Sequence, residues 1–153
     1  MVALAVALLL ALPQEGVLVP GRSLAGVELG ATERQARRTL GPFVGVCRGC
    51  DRRTLYFTRG EFEETGVGAE FVRGRAVALY TLGMPRGWRT RSGLRLGAAE
   101  LEFADANRGA LRTECGHYSA LSVRRGRAVT VFWVRAGTLW AFGIQRPSVP
   151  LCR

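Results

Sequence analysis

Four cysteines are the residues of this sequence that could take part in the widest range of chemistry: Cys47, Cys50, Cys115 and Cys152. The first two form a C-x-x-C motif, the spacing of thiol–disulfide oxidoreductases and of half a zinc site. A redox motif of this kind usually opens a helix, whereas here we expect a helix to end before the motif and a strand to follow it. We therefore predict a structural disulfide, with thiol-redox chemistry and metal binding as the alternatives.

Cys115 and Cys152 bring the cysteines to an even number, which suits two disulfides in an oxidising compartment. Of the three pairings that four cysteines allow, we favour Cys47–Cys50 and Cys115–Cys152, because the second bridge would fix the C-terminal segment on the domain. His117, the only histidine, lies two residues after Cys115, and on a strand the two side chains would share a face. A Cys–His nucleophile needs a free thiol, however, and an oxidising compartment argues against one.

The acidic residues do not predict acid–base catalysis. Glu61, Glu63 and Glu64 cluster between Gly60 and Gly66, and this setting favours a solvated loop. We therefore assign no catalytic residue, no metal ligand and no cofactor, and we predict a protein that is not an enzyme.

Arginine supplies all 22 basic residues, which with 12 acidic residues gives a formal net charge of +10. Lysine is absent, so part of the arginine excess reflects a gene rich in G and C. No acidic residue lies between Phe71 and Ala99 or after Cys115. Arginine beside aromatic rings binds phosphate or stacks on the rings. The candidate anion- or partner-binding residues in these two stretches are Arg86, Trp88, Arg89, Arg91, Arg124, Arg125 and Arg127. The alternative is that the arginines face solvent and the tryptophans fill the core.

Residues 2–12 are all Ala, Val or Leu, and Pro13 ends this apolar run. The run has the length of the apolar part of a secretory signal and is too short to span a bilayer. We predict a signal peptide over residues 1–15; a buried N-terminal helix or strand is the alternative. The protein is then expected to be secreted or associated with the cell envelope, and not to span a membrane.

Two sequence echoes predict an internal duplication. Residues 26–33 read GVELGATE and residues 93–100 read GLRLGAAE, while RGRAV occurs at residues 73–77 and again at residues 125–129. Because the two offsets differ, we predict that the second unit lacks one strand or loop of the first.

Each unit is predicted to open with a short helix. Thr32 and Gln35 give the first helix a capping pattern, Gly41 and Pro42 end it, and the second helix is expected over residues 99–107. Strands are predicted over residues 54–58, 69–72, 75–82, 119–123, 127–134 and 138–145, with turns at residues 73–74, 125–126 and 136–137.

These elements predict an α+β fold. Two tandem helix-plus-antiparallel-meander units, residues 16–85 and 86–153, are expected to share a twisted antiparallel sheet and to pack as one domain.

The segment from Gly26 to Gly41 resembles the helix opener of the SmpA/OmlA-type envelope lipoproteins, in which an antiparallel meander follows. Two such openers in one secreted chain resemble the tandem architecture of the secreted β-lactamase inhibitor proteins. The stretches VPGRSLAGVELGAT, GWRTRSGLRLG and PLCR are similar to a group of secreted actinobacterial proteins of unknown function. These motifs are structural, so the resemblance implies a fold and no chemistry. The apolar run is not followed by a lipobox cysteine, so lipid anchoring is not expected.

We therefore expect a secreted, non-enzymatic module that binds a protein partner through its sheet face or its loops. One alternative is a cationic module that associates with anionic polymers of the cell envelope or with lipid headgroups. The other is a thiol-redox or metal-binding protein that uses Cys47 and Cys50. The charge alone would also suit nucleic acid, but no recognition motif accompanies it and export removes the usual partner.

Overall fold

The computed structural model describes residues 16–42 and 44–153, and the predicted signal peptide over residues 1–15 lies outside them. Two short helices and a series of strands make up this part of the chain. In chain order they are β1 Val17–Val19, β2 Ser23–Leu24, β3 Val27–Glu28, α1 Glu33–Leu40, β4 Val44–Val46, β5 Arg53–Thr58, β6 Gly66–Val72, β7 Arg75–Leu82, β8 Arg89–Thr90, α2 Glu100–Ala106, β9 Leu111–Glu114, β10 Ser119–Arg125, β11 Ala128–Arg135 and β12 Thr138–Gln145. Neither of these helices has the length and apolar character needed to cross a membrane.

The predicted α+β class, with two helix-plus-meander units, is wrong, because the protein is mainly β. Strands account for 46% of the described residues and helices for 11%. The helices contain only 8 and 7 residues. Several strands of two to four residues, too short for a recognisable alternation of apolar and polar side chains, form in segments that the sequence presented as loops. Four of them, β1, β2, β3 and β8, build a second sheet that the prediction did not contain.

The large sheet has eight antiparallel strands in the order β4-β5-β6-β7-β12-β11-β10-β9. Neighbours in this order are also neighbours in the chain, except at the centre, where β7 pairs with β12 and Tyr80 lies opposite Gly143. We call this pairing the central seam. Arg73–Gly74 and Ala136–Gly137 form tight loops in which both residues have positive φ, the conformation that matches the twist of a hairpin.

The prediction allowed for a missing strand or a missing loop in the second unit, and no strand of the large sheet is missing. Four strands of the large sheet lie between α1 and α2, and four follow α2. The repeated RGRAV sequence instead marks two turns that are not equivalent. Arg73–Gly74 joins the third and fourth strands of the first half, whereas Gly126–Arg127 joins the second and third strands of the other. Both copies of this sequence place a glycine at positive φ in a turn, and this shared requirement accounts for the repeat.

The small sheet has the order β3-β2-β1-β8. β1 pairs in parallel with β8, so that Leu18 lies opposite Thr90. Together with the two helices, the small sheet covers one face of the large sheet. Residues from both halves of the chain form this core, and its fully buried large side chains include Leu18, Leu24, Leu55, Leu79, Phe103, Phe132, Leu139, Phe142 and Ile144.

Helix α1 is capped as predicted: the Thr32 hydroxyl accepts a hydrogen bond from the Gln35 backbone, and the Gln35 side chain accepts one from the Thr32 backbone. Glu33 accepts hydrogen bonds from Arg53 on β5 at 2.7 Å and from Arg37 one turn later at 2.9 Å. The hydrogen bond from Arg53 is the main reason that the pKa of Glu33 is lowered to about 2. Helix α2 has no side-chain cap and is attached through Phe103, which lies in the core.

Candidate binding site on the open face of the large sheet

The large sheet has two unlike faces. One packs on the helices and the small sheet. The other, which we call the open face, carries a smaller cluster to which neither the helices nor the small sheet contribute. Because side chains alternate along a strand, each strand supplies every second residue to this face. The buried members of the cluster are Ala120, Val129, Val131, Trp133 and Ala141, and Tyr80, Tyr118, Trp140 and Leu151 pack against them.

A row of glycines and tyrosines crosses the open face. Successive strands place opposite one another, in order, Gly45, Tyr56, Gly68, Tyr80 and Gly143. A Cβ on Gly68 would overlap the ring of Tyr80, and a Cβ on Gly143 would collide with the backbone next to that ring. Gly68 therefore leaves the space in which the Tyr80 ring lies across the sheet, and Gly143 lets the backbones of β7 and β12 approach closely.

A C-terminal segment, residues 146–153, crosses the open face, and we call it the strap. The Cys115–Cys152 disulfide ties it to the residue that follows β9. Side chains of the sheet also donate hydrogen bonds to strap carbonyls. These bonds run from Gln145 Nε2 to Val149 at 2.6 Å, from Trp133 Nε1 to Leu151 at 2.8 Å and from the Tyr118 hydroxyl to Arg153 at 2.6 Å.

The side chain of Arg153 lies at the centre of the open face. Its guanidinium carbon is 4.1 Å from the centroid of the Tyr80 ring and 5.4 Å from that of the Trp133 ring, both within cation–π range. The guanidinium also donates to Glu70, and to Gln145 Oε1 at 3.0 Å. The Arg153 side chain is only 23% exposed, so this cation is held by rings and a carboxylate with little water around it.

Glu70 is the acidic centre of this network. It lies on β6, its side chain is 10% exposed, and it forms ion pairs with Arg153 and with Arg52. The Arg52 contact, 3.6 Å from Glu70 Oε2, is a charge interaction without a hydrogen bond. A buried carboxylate between two arginines is stable only while both remain in place, so the network fixes the strap and the sheet relative to each other.

Tyr80 remains a neutral phenol over the whole physiological pH range. Burial raises the pKa of Tyr80 to about 12, and the nearby positive charge of Arg153 offsets only part of this effect. The hydroxyl therefore keeps its proton and can donate a hydrogen bond to a ligand on the open face.

The strap leaves two hollows on the open face. The first, of about 190 Å³, is lined by four aromatic side chains, Tyr80, Tyr118, Trp133 and Trp140, together with Leu82 and Arg153. Rings in it meet edge to face, with centroids 6.1 Å apart for Tyr118 and Trp140. The buried indole nitrogen of Trp140 has no hydrogen-bond partner among the described residues.

The second hollow, of about 490 Å³, lies on the other side of the Arg153 side chain. Tyr56, Glu70 and Tyr80 contribute to its lining, and strap residues 149–150 border it. The Cys47–Cys50 loop forms part of its rim, because that loop joins β4 to β5 at the edge of the sheet. The C-x-x-C motif thus shapes a hollow from a hairpin loop and does not begin a helix.

Comparison of the chain with protein-family models, with curated protein sequences and with solved structures gave no match. Function must therefore be argued from the geometry alone.

The predicted disulfides Cys47–Cys50 and Cys115–Cys152 are both formed. Cys115 is therefore not a free thiol, and His117 beside it is exposed. Glu61, Glu63 and Glu64 are exposed in a loop, as expected of a solvated segment. Within the described ranges, no three Cys, His, Asp or Glu side chains come together as a metal site.

The predicted anion- or partner-binding residues do not form one site. Trp88 is only 4% exposed and belongs to the core, where its ring packs closely on Gly16; it is removed from the candidates. Arg86 and Arg91 are exposed in loops on either side of β8, and Arg89 is half-buried within it. Arg124, Arg125 and Arg127 surround the exposed turn between β10 and β11.

The central residues of the open face were missed in the sequence. Glu70 gave the clearest available signal, because a carboxylate inside the otherwise apolar run of β6 requires a buried partner. The alternation of glycine and tyrosine at Gly68 and Tyr80 was a second signal, which becomes visible only once the strands are paired. Arg153 gave no signal of its own, since its position depends on the strap.

Proposed function

We propose that this protein is a secreted, non-enzymatic module that recognises a protein partner through the open face of its large sheet. The observation that carries the proposal is the set of aromatic rings around Arg153. Tyrosine, tryptophan and arginine are the residues that dominate binding energy in protein interfaces, particularly where they are partly desolvated on a rigid support. Two disulfides suit an oxidising compartment outside the cytoplasm.

The shape of the site favours a protein ligand over a small molecule. Neither hollow is enclosed, and together they extend from the Cys47–Cys50 loop to the Tyr118–Trp140 pair. A partner loop with apolar or aromatic side chains would fill the first hollow. An acidic flank on the partner would complement the net charge of +10 and speed association.

Capture followed by affinity measurement on matched variants tests this proposal. The oxidised protein is used as bait for extracellular and envelope proteins of the organism of origin, and the dissociation constant of each captured protein is measured by calorimetry. Trp140→Ala in the first hollow and Tyr56→Ala in the second are each expected to weaken binding by about 30-fold, the effect of losing about 2 kcal/mol at an interface hot spot.

Leu101→Ala is the matched control, because Leu101 is 79% exposed on α2, on the opposite side of the large sheet. Its dissociation constant should stay within about twofold of the unsubstituted protein. Circular dichroism and thermal unfolding verify that all three variants are folded. Equal losses for all three variants, or no specific capture at low salt, would contradict binding through the open face.

A further inference from the structure

A basic groove lies away from the aromatic rings of the open face, and its lining comes from separate parts of the chain. It has a volume of about 260 Å³ and contains four arginines: Arg22, Arg125, Arg127 and Arg146. Arg22 follows β1, Arg125 and Arg127 flank the turn between β10 and β11, and Arg146 follows β12. Glu28 is the one carboxylate among the described residues that line it.

The backbone around the groove holds these arginines in place. The Gly21 amide donates a hydrogen bond to Thr130 Oγ1 at 2.8 Å, which fixes the turn after β1 on β11. The side-chain stem of Arg125 packs over Gly21, since a Cβ there would lie 3.5 Å from Arg125 Cβ. Arg146 Nη1 donates to the Arg127 carbonyl at 3.4 Å, so the guanidinium of one lining residue is anchored on the backbone of another.

Most of the positive charge in the groove is uncompensated. Arg22 forms an exposed ion pair with Glu28 at 3.0 Å. Arg125, Arg127 and Arg146 have no carboxylate within 4.0 Å among residues 16–42 and 44–153. Like charges held close together repel one another and destabilise the fold unless an anion joins them.

We propose that this groove binds the oxygens of a phosphate group. The planar guanidinium presents paired N–H donors that match phosphate oxygens. The groove, with a volume of about 260 Å³, has room for a phosphate ester with part of its hydration. This site is separate from the open face and does not depend on the function proposed for that face.

The exposure of the groove to solvent determines how strongly it should bind phosphate. A single phosphate should bind weakly, because open charge contacts are screened by salt. A ligand with many phosphates should bind more tightly, since each phosphate that leaves the groove is replaced by its neighbour at high local concentration. Inorganic polyphosphate of defined length is therefore the probe of choice, and inorganic phosphate is the weak reference.

Two double variants with the same change of net charge provide the decisive comparison. Arg125→Gln with Arg127→Gln removes two groove arginines, whereas Arg34→Gln with Arg38→Gln removes two exposed arginines of α1. The groove variant is expected to bind polyphosphate about tenfold more weakly. For this variant, the slope of the logarithm of the binding constant against the logarithm of the salt concentration should become less steep by about two, one for each lost phosphate contact. The helix variant should change affinity by less than about twofold.

Glu28→Gln supplies a test in the opposite direction. It removes the carboxylate of the groove and frees Arg22, so polyphosphate should bind about threefold more tightly. Equal weakening by the two double variants would show that net charge alone attracts the probe and would overturn the proposal. Weaker binding by the Glu28→Gln variant would do the same.

Vesicles distinguish the source of the phosphate. If the phosphate is carried by a lipid headgroup, phosphatidylglycerol vesicles should retain the protein and lose the groove variant, while phosphatidylcholine vesicles retain neither. If it is carried by a soluble or wall-bound polymer, polyphosphate should show the groove dependence and the vesicles should not. The absence of groove dependence with both probes would refute the site.

Discussion

At the scale of single residues, the open face depends on how Tyr80 is accommodated. Gly68 on the neighbouring strand gives its ring room to lie across the sheet, and Arg153 packs on that ring. A glycine costs backbone entropy and would weaken an ordinary strand. Gly68 makes room for the flat ring surface on which the Arg153 cation packs, and this combination supports the binding proposed for the open face.

The pKa of Tyr80 makes this arrangement measurable. The protein has three tyrosines, and burial raises the pKa of Tyr80 from 10.0 to about 12. Because the phenol ionises near pH 10 in the unfolded chain and near 12 in the folded one, its contribution to stability is fully present below pH 10 and falls as the pH rises from 10 to 12. A rapid ultraviolet titration should show one tyrosinate forming near pH 12.

Tyr80→Phe should abolish that late step and flatten the decline in unfolding free energy over the same pH interval. Tyr56→Phe is the control, and the late step should survive in it. A late step that persists in Tyr80→Phe would show that another tyrosine is the buried one.

At the scale of elements, the strap behaves as an added layer on the sheet. It contributes no strand of its own to either sheet, and its place is fixed by side-chain hydrogen bonds, by the Glu70–Arg153 ion pair and by one disulfide. The side-chain N–H groups of Trp133 and Gln145 donate to strap carbonyls. Release of the strap would therefore leave buried polar groups without partners, which is costly.

The two disulfides should differ in their contribution to stability. Cys115–Cys152 closes a loop with a sequence separation of 37, and Cys47–Cys50 one with a separation of 3. Loop-closure entropy predicts that replacing Cys115 and Cys152 by serine lowers the free energy of unfolding by about 4 kcal/mol. The same replacement of Cys47 and Cys50 should lower it by about 2 kcal/mol. Urea unfolding of both variants measures the difference. Equal losses would mean that the strap is held without its disulfide.

At the scale of the whole molecule, the sequence predicted local features well. The hairpins around Arg73–Gly74 and Ala136–Gly137 form where glycine allows positive φ, and α1 has the cap that Thr32 and Gln35 indicated. Both disulfides pair as chosen. Each of these features depends on residues close in the chain or on few alternatives, which is why single-sequence reasoning could reach them.

The features that were missed depend on distant residues. The small sheet requires β1 to meet β8, and no local pattern signals a parallel pair of two residues. Trp88, a candidate because arginines surround it in the sequence, lies in the core as the alternative interpretation predicted, and what the sequence did not show is that the absence of a side chain on Gly16 opens a place for its ring. The open face and the basic groove both form where turns and strands from distant parts of the chain meet. The sequence shows that aromatic and arginine residues are present, but it does not show which of them come together.

We expect the central seam to form late in folding. It joins Tyr80 to Gly143, about 60 residues apart, and loop closure makes such a contact entropically expensive and slow to form. Gly143→Ala should therefore speed unfolding and leave the folding rate nearly unchanged, whereas Val67→Ala, in the local β5–β6 hairpin, should slow folding. Stopped-flow kinetics in urea separates the two rates. A folding rate slowed equally by both substitutions would show that the seam forms early.

Until the seam closes, β7 and β12 each present an unpaired row of backbone donors and acceptors. A second copy of the chain, emerging beside the first, offers the same two edges. If the seam forms last, an intramolecular partner, whose local concentration is fixed by the chain, competes with an intermolecular one, whose concentration rises with expression. A high concentration of newly made chains should favour dimers that exchange strands at the central seam, and dilution should favour the monomeric fold.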